Sequence, residues 1–443
     1  MFILTKNLKR ISKLAFLAAT FLSLFWGLKV LINEAFIQAS SRNFRGDFWA
    51  AVYGPLRVEH NIFYGPIFTS LVYITDQFPD YLSIHFYGFL SAALLTCSAL
   101  ILCISLGLSR INFLISITLA ICFLPTAFSI SVAAVPEIME VLFISLAFHF
   151  STQKKNFQEG VFIGLAALTK FVPWSFLAPL LLQTKWRSIF AICLLFVATV
   201  FIASVAIDIK FITALKESIY PVGPTMGYFG PLSISYEFSS LTEFFLRFIF
   251  EVTYVPNEFL FAVNAPVDKQ LGMSIFIASV LVMLFLIGTS TLLTIAVINF
   301  AKKDNASSQA LIYLLWLGIL PIITLRSHPH TFVLLFPCFF LLVGIAEKFK
   351  LKESIPYRMT ISFALYFSLI IFATSYIWIG FPALRHYLSL LIGGSKFTKY
   401  LLSEPILGNL LFFVGVVIVT CVYLAIERAT LNNRSISGEI STY

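Results

Sequence analysis

Asp47 is the residue that most narrows what this chain can do. It lies in Ser41-Arg42-Asn43-Phe44-Arg45-Gly46-Asp47-Phe48-Trp49, just past the first membrane-length apolar stretch, with Arg57 further along the same loop. The three arginines would hold the carboxyl in its anionic form, and Phe48 and Trp49 would keep the loop at the headgroup level. An ionised carboxylate so placed can take the proton from a sugar hydroxyl as general base. Glu59 and His60 are fallback bases, each better read as a solvated loop residue. A carboxylate just beyond a helix end can also be merely solvated; its neighbours favour the functional reading. One carboxylate among clustered cations points towards chemistry on a phosphorylated lipid.

Four further groups carry candidate chemistry. Lys170 stands in Lys170-Phe171-Val172-Pro173, at a break between two short apolar segments. An ammonium there requires a partner or a wet cavity, or must snorkel to an interface; phosphate contact is the favoured reading. The turn Arg326-Ser327-His328-Pro329-His330 packs three potential cations into five residues, able to bind a leaving phosphate through charge-assisted hydrogen bonds. Its two histidines lack a nearby carboxylate and make a weak metal signal. Glu137 and Glu140 share one helix face behind Pro136, where acids suit the helix dipole. That structural account suffices, though two carboxylates at an outer helix end are also candidates for binding a sugar. In the loop 208–271, Tyr220, Tyr228, Phe229 and Tyr236 among Gly and Pro form a candidate sugar-stacking platform.

The elements that position these groups are membrane helices. The 443 residues are 59% hydrophobic and 12% charged, with a mean hydropathy of +0.93; soluble domains carry about 25% charged residues. Apolar runs long enough to span a bilayer recur along the chain. Expected spans are 14–32, 82–107, 111–124, 134–150, a paired unit 160–183, 188–207, 272–300, 308–325, 331–346, 357–378 and 405–426. Counting the pair as two gives about twelve segments in a single polytopic all-α domain, 1–443. Basic residues gather in alternate turns: Lys6 to Lys13; Arg110; Lys154 and Lys155; Lys185 and Arg187; Lys302 and Lys303; Lys348, Lys350 and Lys352; Arg428 and Arg434. This positive-inside pattern puts those turns and both termini in the cytoplasm, and it explains the net charge of +9 without nucleic acid. Loops 33–81 and 208–271 then lie outside, as does the stretch 379–404. The first span reads as a retained helix and not a cleaved signal. The six cysteines read as packing residues, not disulfides or metal ligands.

The order of these pieces resembles the GT-C glycosyltransferases, and most closely the bacterial polyprenyl-phosphate-mannose-dependent mannosyltransferases. The first-loop pattern matches Asp47-Phe48-Trp49-Ala50-Ala51-Val52-Tyr53, with the turn Tyr64-Gly65-Pro66. The mid-chain pattern matches Gly164-Leu165-Ala166-Ala167-Leu168-Thr169-Lys170, then Lys185-Trp186-Arg187. The late basic turn matches His328-Pro329-His330-Thr331 through Pro337. The resemblance covers about residues 1–345. Pro136-Glu137 and Glu140 stand where the family often has Gly-Gln and Asn.

The resemblance implies an enzyme of the plasma (inner) membrane with its active site outside the cytoplasm. Asp47 would be the base and Lys170, Arg326, His328, His330, Arg45 and Arg57 the donor-phosphate contacts. Glu137, Glu140, Tyr64 and Tyr228 would touch acceptor or sugar. The partners would be a polyprenyl-phosphate sugar donor, a glycan or glycolipid acceptor and membrane lipid. No cofactor is expected, and no metal, because the outer acidic pair of some GT-C enzymes is absent. The rivals are a polysaccharide polymerase or ligase and a lipid or sugar transporter or flippase. Transporters carry paired broken helices in two halves, and this chain has one such break.

Overall fold

The computed structural model describes residues 80–122, 126, 129, 135–169, 172–207, 269–300, 306–323, 329–351 and 405–436. Ten α-helices are present among them: α1 (Asp80–Leu106), α2 (Arg110–Cys122), α3 (Val135–Thr152), α4 (Asn156–Thr169), α5 (Leu177–Leu182), α6 (Trp186–Ile207), α7 (Lys269–Phe300), α8 (Ala306–Ile323), α9 (Phe336–Leu351) and α10 (Pro405–Ile436). Two 3-10 segments, Val172–Phe176 and Pro329–Leu335, precede α5 and α9. No strand occurs among the described residues. Gly88–Leu106 and Val280–Phe300 are each long and apolar enough to cross a bilayer, and shorter apolar helices occupy Arg110–Ile121, Trp186–Ile202 and Ala306–Ile322. The expected total of about twelve segments rests also on spans 14–32 and 357–378, which lie outside the described residues.

Prolines set where helices start. Pro136 and Pro337 each occupy the first turn of their helix, where the missing N–H is no loss. Upstream of Pro337 an α-helix is disfavoured, because the ring would collide with the carbonyl four residues back; α8 carries Pro321 inside it all the same. At Pro337 that collision accounts for a difference from expectation: residues 331–335 of the span 331–346 are 3-10, not α. The break expected at 170–173 is present, since α4 stops at Thr169 and a 3-10 turn containing Pro173 leads into α5.

Helix directions follow from the contacts. The Ser105 hydroxyl lies 2.8 Å from His149 Nδ1, so α1 and α3 end side by side. The Ser109 N–H donates to both Glu347 carboxylate oxygens at 3.2 and 3.1 Å, joining the start of α2 to the end of α9. Gln309 at the start of α8 meets Ser151 at the end of α3 at 3.0 Å. Gly318 faces Phe412 and Phe413, which sets α8 against α10. These pairings bring the turns carrying Arg110, Lys154, Lys155, Lys185, Arg187 and Lys348 to one end of the bundle, here the basic end. These six basic residues, read from separate turns of the sequence, therefore share one end of the bundle. Lys269, at the start of α7, is a base in another position.

Within a bilayer, helices associate through close packing and not through exclusion of water. Gly160 and Gly164 lie along α4 against Ser188 and Ile192 of α6. The two contacts have the same offset, so α4 and α6 run parallel, and α5 returns between them. Elsewhere aromatic rings interlock: Phe113 and Phe340 lie 6.3 Å apart, and Phe336 and Phe340 5.3 Å. Outward faces are apolar, with Phe190, Leu194, Phe201, Leu281, Phe285 and Leu292 exposed. Among the described residues five cysteines are free thiols. Cys338 is buried, but Cys97, Cys193 and Cys421 are exposed on the bundle surface, where a small apolar thiol suits lipid.

Candidate functional site

The segment α4–turn–α5 is a hairpin that leaves the basic end and returns to it. Its ascending limb has 14 residues, about 21 Å of helix. The residue after Thr169 is Lys170. Lys170 itself lies outside the described residues, as do Asp47, Arg45, Arg57, Tyr64, Tyr228, Arg326 and His328. The Pro329–Leu335 segment, whose backbone includes His330, packs against α3 and α8, and Val172–Phe176 packs against α4 and α8. The 3-10 segment after Lys170 and the one containing His330 thus both pack against α8.

Glu137 and Glu140 sit in the first turns of α3, 1% and 0% exposed. Such burial exceeds what an open helix end needs for its dipole. A fully buried carboxylate must be paired or protonated. Because α1 and α3 run side by side from the Ser105–His149 contact, buried Thr96 lies on a level with Glu140. The Thr96 hydroxyl donates to Ala92 O at 2.8 Å. The structure therefore gives the acidic pair a walled position within the bundle.

Sequence reasoning missed a second cluster at the hairpin's base. Lys185 Nζ lies 2.9 Å from Glu159 Oε1, and it donates to Ser151 Oγ at 2.8 Å and Gln309 Oε1 at 3.4 Å. The Tyr313 hydroxyl donates to the same Glu159 oxygen at 3.2 Å, and Gln309 Nε2 donates to Gln183 Oε1 at 3.1 Å. Glu159 is fully buried and Lys185 is 11% exposed. The Tyr313 ring meets Phe148 at 5.3 Å and Phe176 at 5.2 Å. This network ties both feet of the hairpin to α3 and α8. The one signal in the sequence was Glu159, the sole acid between residues 151 and 188; Lys185 read only as a topology-setting base. Beside it, Gln153 Nε2 and His149 Nε2 lie 2.6 Å apart. With that ring nitrogen accepting, Nδ1 carries the proton and faces Ser105, whose hydroxyl donates to Ile101 O at 2.6 Å. The serine is not activated by this histidine.

An apolar helical bundle with its bases at one end, an interrupted hairpin and buried acids on the helix ends has the features of a polytopic membrane protein. The chain belongs to glycosyltransferase family 87, whose family model it matches over residues 62–343. It is a glycosyltransferase of GT-C type, a class that requires a sugar donor and an acceptor. Lys170, Glu137, Glu140, Tyr64, Tyr228, Arg326, His328 and His330 fall inside the matched range, whereas Asp47, Arg45 and Arg57 precede it. No curated protein and no solved structure matches the chain.

Proposed function

We propose that this glycosyltransferase moves a hexose, mannose by the resemblance, from a polyprenyl-phosphate sugar to an extracytoplasmic glycan or glycolipid. In this reading the chain is one polytopic domain of about twelve segments in the plasma (inner) membrane. Both termini face the cytoplasm and the active site opens on the other side. Asp47 removes the acceptor hydroxyl proton as that oxygen attacks the anomeric carbon, and the bond from that carbon to the lipid phosphate breaks. Lys170, Arg326, His328 and His330, with Arg45 and Arg57, offset the charge growing on the departing phosphate, where preorganised cations help most. Glu137, Glu140, Tyr64 and Tyr228 contact sugar or acceptor. A single displacement inverts the anomeric centre.

The observation that carries this reading is the family membership, joined to a lone carboxylate among three arginines on the first loop. Convergence of the hairpin and the Pro329–Leu335 segment on α8 supports it. The test is transfer from a purified polyprenyl-phosphate hexose by wild type and Asp47→Asn, with donor binding measured in parallel. Turnover lost with donor affinity retained is the expected result. Near-normal turnover in a folded variant would remove Asp47 from the mechanism. Activity only with a diphosphate-linked oligosaccharide would make the protein a polymerase or ligase.

A further inference from the structure

The basic end carries a surface whose chemistry the transfer reaction does not use. Two turns form it, one between α3 and α4 and one between α5 and α6. Both close in the same way: the Lys155 N–H donates to Phe150 O and the Lys185 N–H to Leu180 O, each at 3.0 Å. Each places a non-glycine residue in the left-handed region, Lys154 at φ 60° and Thr184 at φ 56°, where glycine is usual. The turns are fastened to each other by Lys185 Nζ on Ser151 Oγ at 2.8 Å and by Ser188 Oγ donating to Asn156 O at 2.6 Å. Their relative position is therefore fixed by the fold.

What they present is one sign of charge. Lys154, Lys155 and Arg187 are exposed. The sole acid between residues 151 and 188, Glu159, is buried and neutralised by Lys185. Lys155 Nζ lies 5.7 Å from the Phe150 ring, and Phe157 is 44% exposed beside it. From this rim an apolar stripe runs along α6: Trp186, Phe190, Leu194, Val197 and Phe201 are all at least half exposed, at helical spacing on one face. Cations at the helix end, followed by an uninterrupted apolar face, match a phosphate headgroup followed by its acyl chain. A nucleic acid or an acidic peptide would have no use for the stripe.

We infer that the α3–α4 and α5–α6 turns, with the outward face of α6, form a binding site for an anionic phospholipid of the adjoining leaflet. Lys154, Lys155 and Arg187 contact the phosphate, and Trp186 and Phe190 contact the chain. The inference rests on the membrane placement of the bundle and not on the transfer mechanism, so its test reads lipid binding alone.

The full-length protein in mild detergent would be titrated with phosphatidylglycerol or with phosphatidylcholine of the same chains, and bound lipid counted by native mass spectrometry. Surface cations beside a membrane each contribute about a fivefold preference for anionic lipid, so three predict about a hundredfold. The triple variant Lys154→Gln, Lys155→Gln, Arg187→Gln should lose that preference. A control triple at the same end, Arg110→Gln, Lys348→Gln, Arg428→Gln, removes as much charge and should keep it; Arg428 belongs to this end because Tyr423, five residues before it, lies beside Ser308 at the start of α8. None of these substitutions touches the Lys185–Glu159 pair, and an unchanged melting temperature would certify the fold. Equal binding of both lipids to wild type would overturn the inference. So would an equal loss in the two triples, which would mean a diffuse field and no site.

Discussion

Replacing Lys185 by methionine tests whether the base of the hairpin is held by a buried ion pair. The ammonium makes three hydrogen bonds, to Glu159, Ser151 and Gln309, and its removal leaves a fully buried carboxylate with Tyr313 as the remaining donor to its bonded oxygen. Removing one partner of such a pair destabilises by about 3–5 kcal/mol, because the other charge stays behind without compensation. Lys185 is 11% exposed, so the lower part of that range applies, about 3 kcal/mol. Glu159→Gln keeps the shape and an acceptor for Lys185 and Tyr313, and should lose about 1–2 kcal/mol as a charge-assisted bond becomes a neutral one. The double variant carries neither charge. It should be more stable than Lys185→Met alone by about 2 kcal/mol, since apolar replacement of a whole buried pair is often nearly neutral. The assay is unfolding of the four proteins in mixed micelles titrated with a denaturing detergent, read by circular dichroism and intrinsic fluorescence. Strictly additive effects, or a loss below about 1 kcal/mol for Lys185→Met, would refute the argument: the pair would then be behaving as an exposed one.

Three other perturbations follow from single contacts. In Gly160→Ala the new Cβ would land on the carbonyl oxygen of Ser188, a backbone atom with no room to turn away; a loss of about 1–3 kcal/mol should appear in the same titration. Thr184→Gly frees a β-branched residue from the left-handed region. The unfolded chain gains entropy at the same time, so a net gain of about 0.5–1 kcal/mol is expected and a raised melting temperature checks it. Lys348 lies beyond the span 331–346, and burial lowers its pKa from the ordinary 10.5. Between the lowered value and 10.5 the unfolded chain holds more protons, so stability contributed by this group rises with pH across that window. A comparison of melting temperature against pH for wild type and Lys348→Met should show the extra upward slope only in wild type.

Legibility in the sequence followed the range of the interactions. The start of α3 was readable because Pro136 acts on its own turn, and the hairpin break was readable because Pro173 acts locally; the start of α9 was not, since the expected span 331–346 ran through Pro337. The basic turns were readable as one set because each charge obeys the same membrane asymmetry. Long-range pairing was not readable. Nothing along α4 tells that Glu159 meets Lys185 across the hairpin and not Lys155 four residues away on its own chain segment. The 3-10 character of residues 332–335 was hidden by their apolarity, which a helix would share. At the candidate site, the sequence located Glu137 and Glu140 on one helix face, but their burial depends on elements distant in sequence that pack against α3. Asp47, Lys170, Arg326 and His328 remain expectations of residue type and order.

The hairpin has a consequence for how the chain is threaded. Because Asn156 and Lys185 stand at the same end of the bundle, the stretch between them contributes no net crossing, and α6 departs in the direction it would take if it followed α3 directly. The hairpin is thus silent with respect to orientation: it can lengthen, shorten or be lost without inverting anything downstream. A break carrying Lys170 can be varied in depth by adding or removing helical turns in both limbs, while the sidedness of every later loop stays the same.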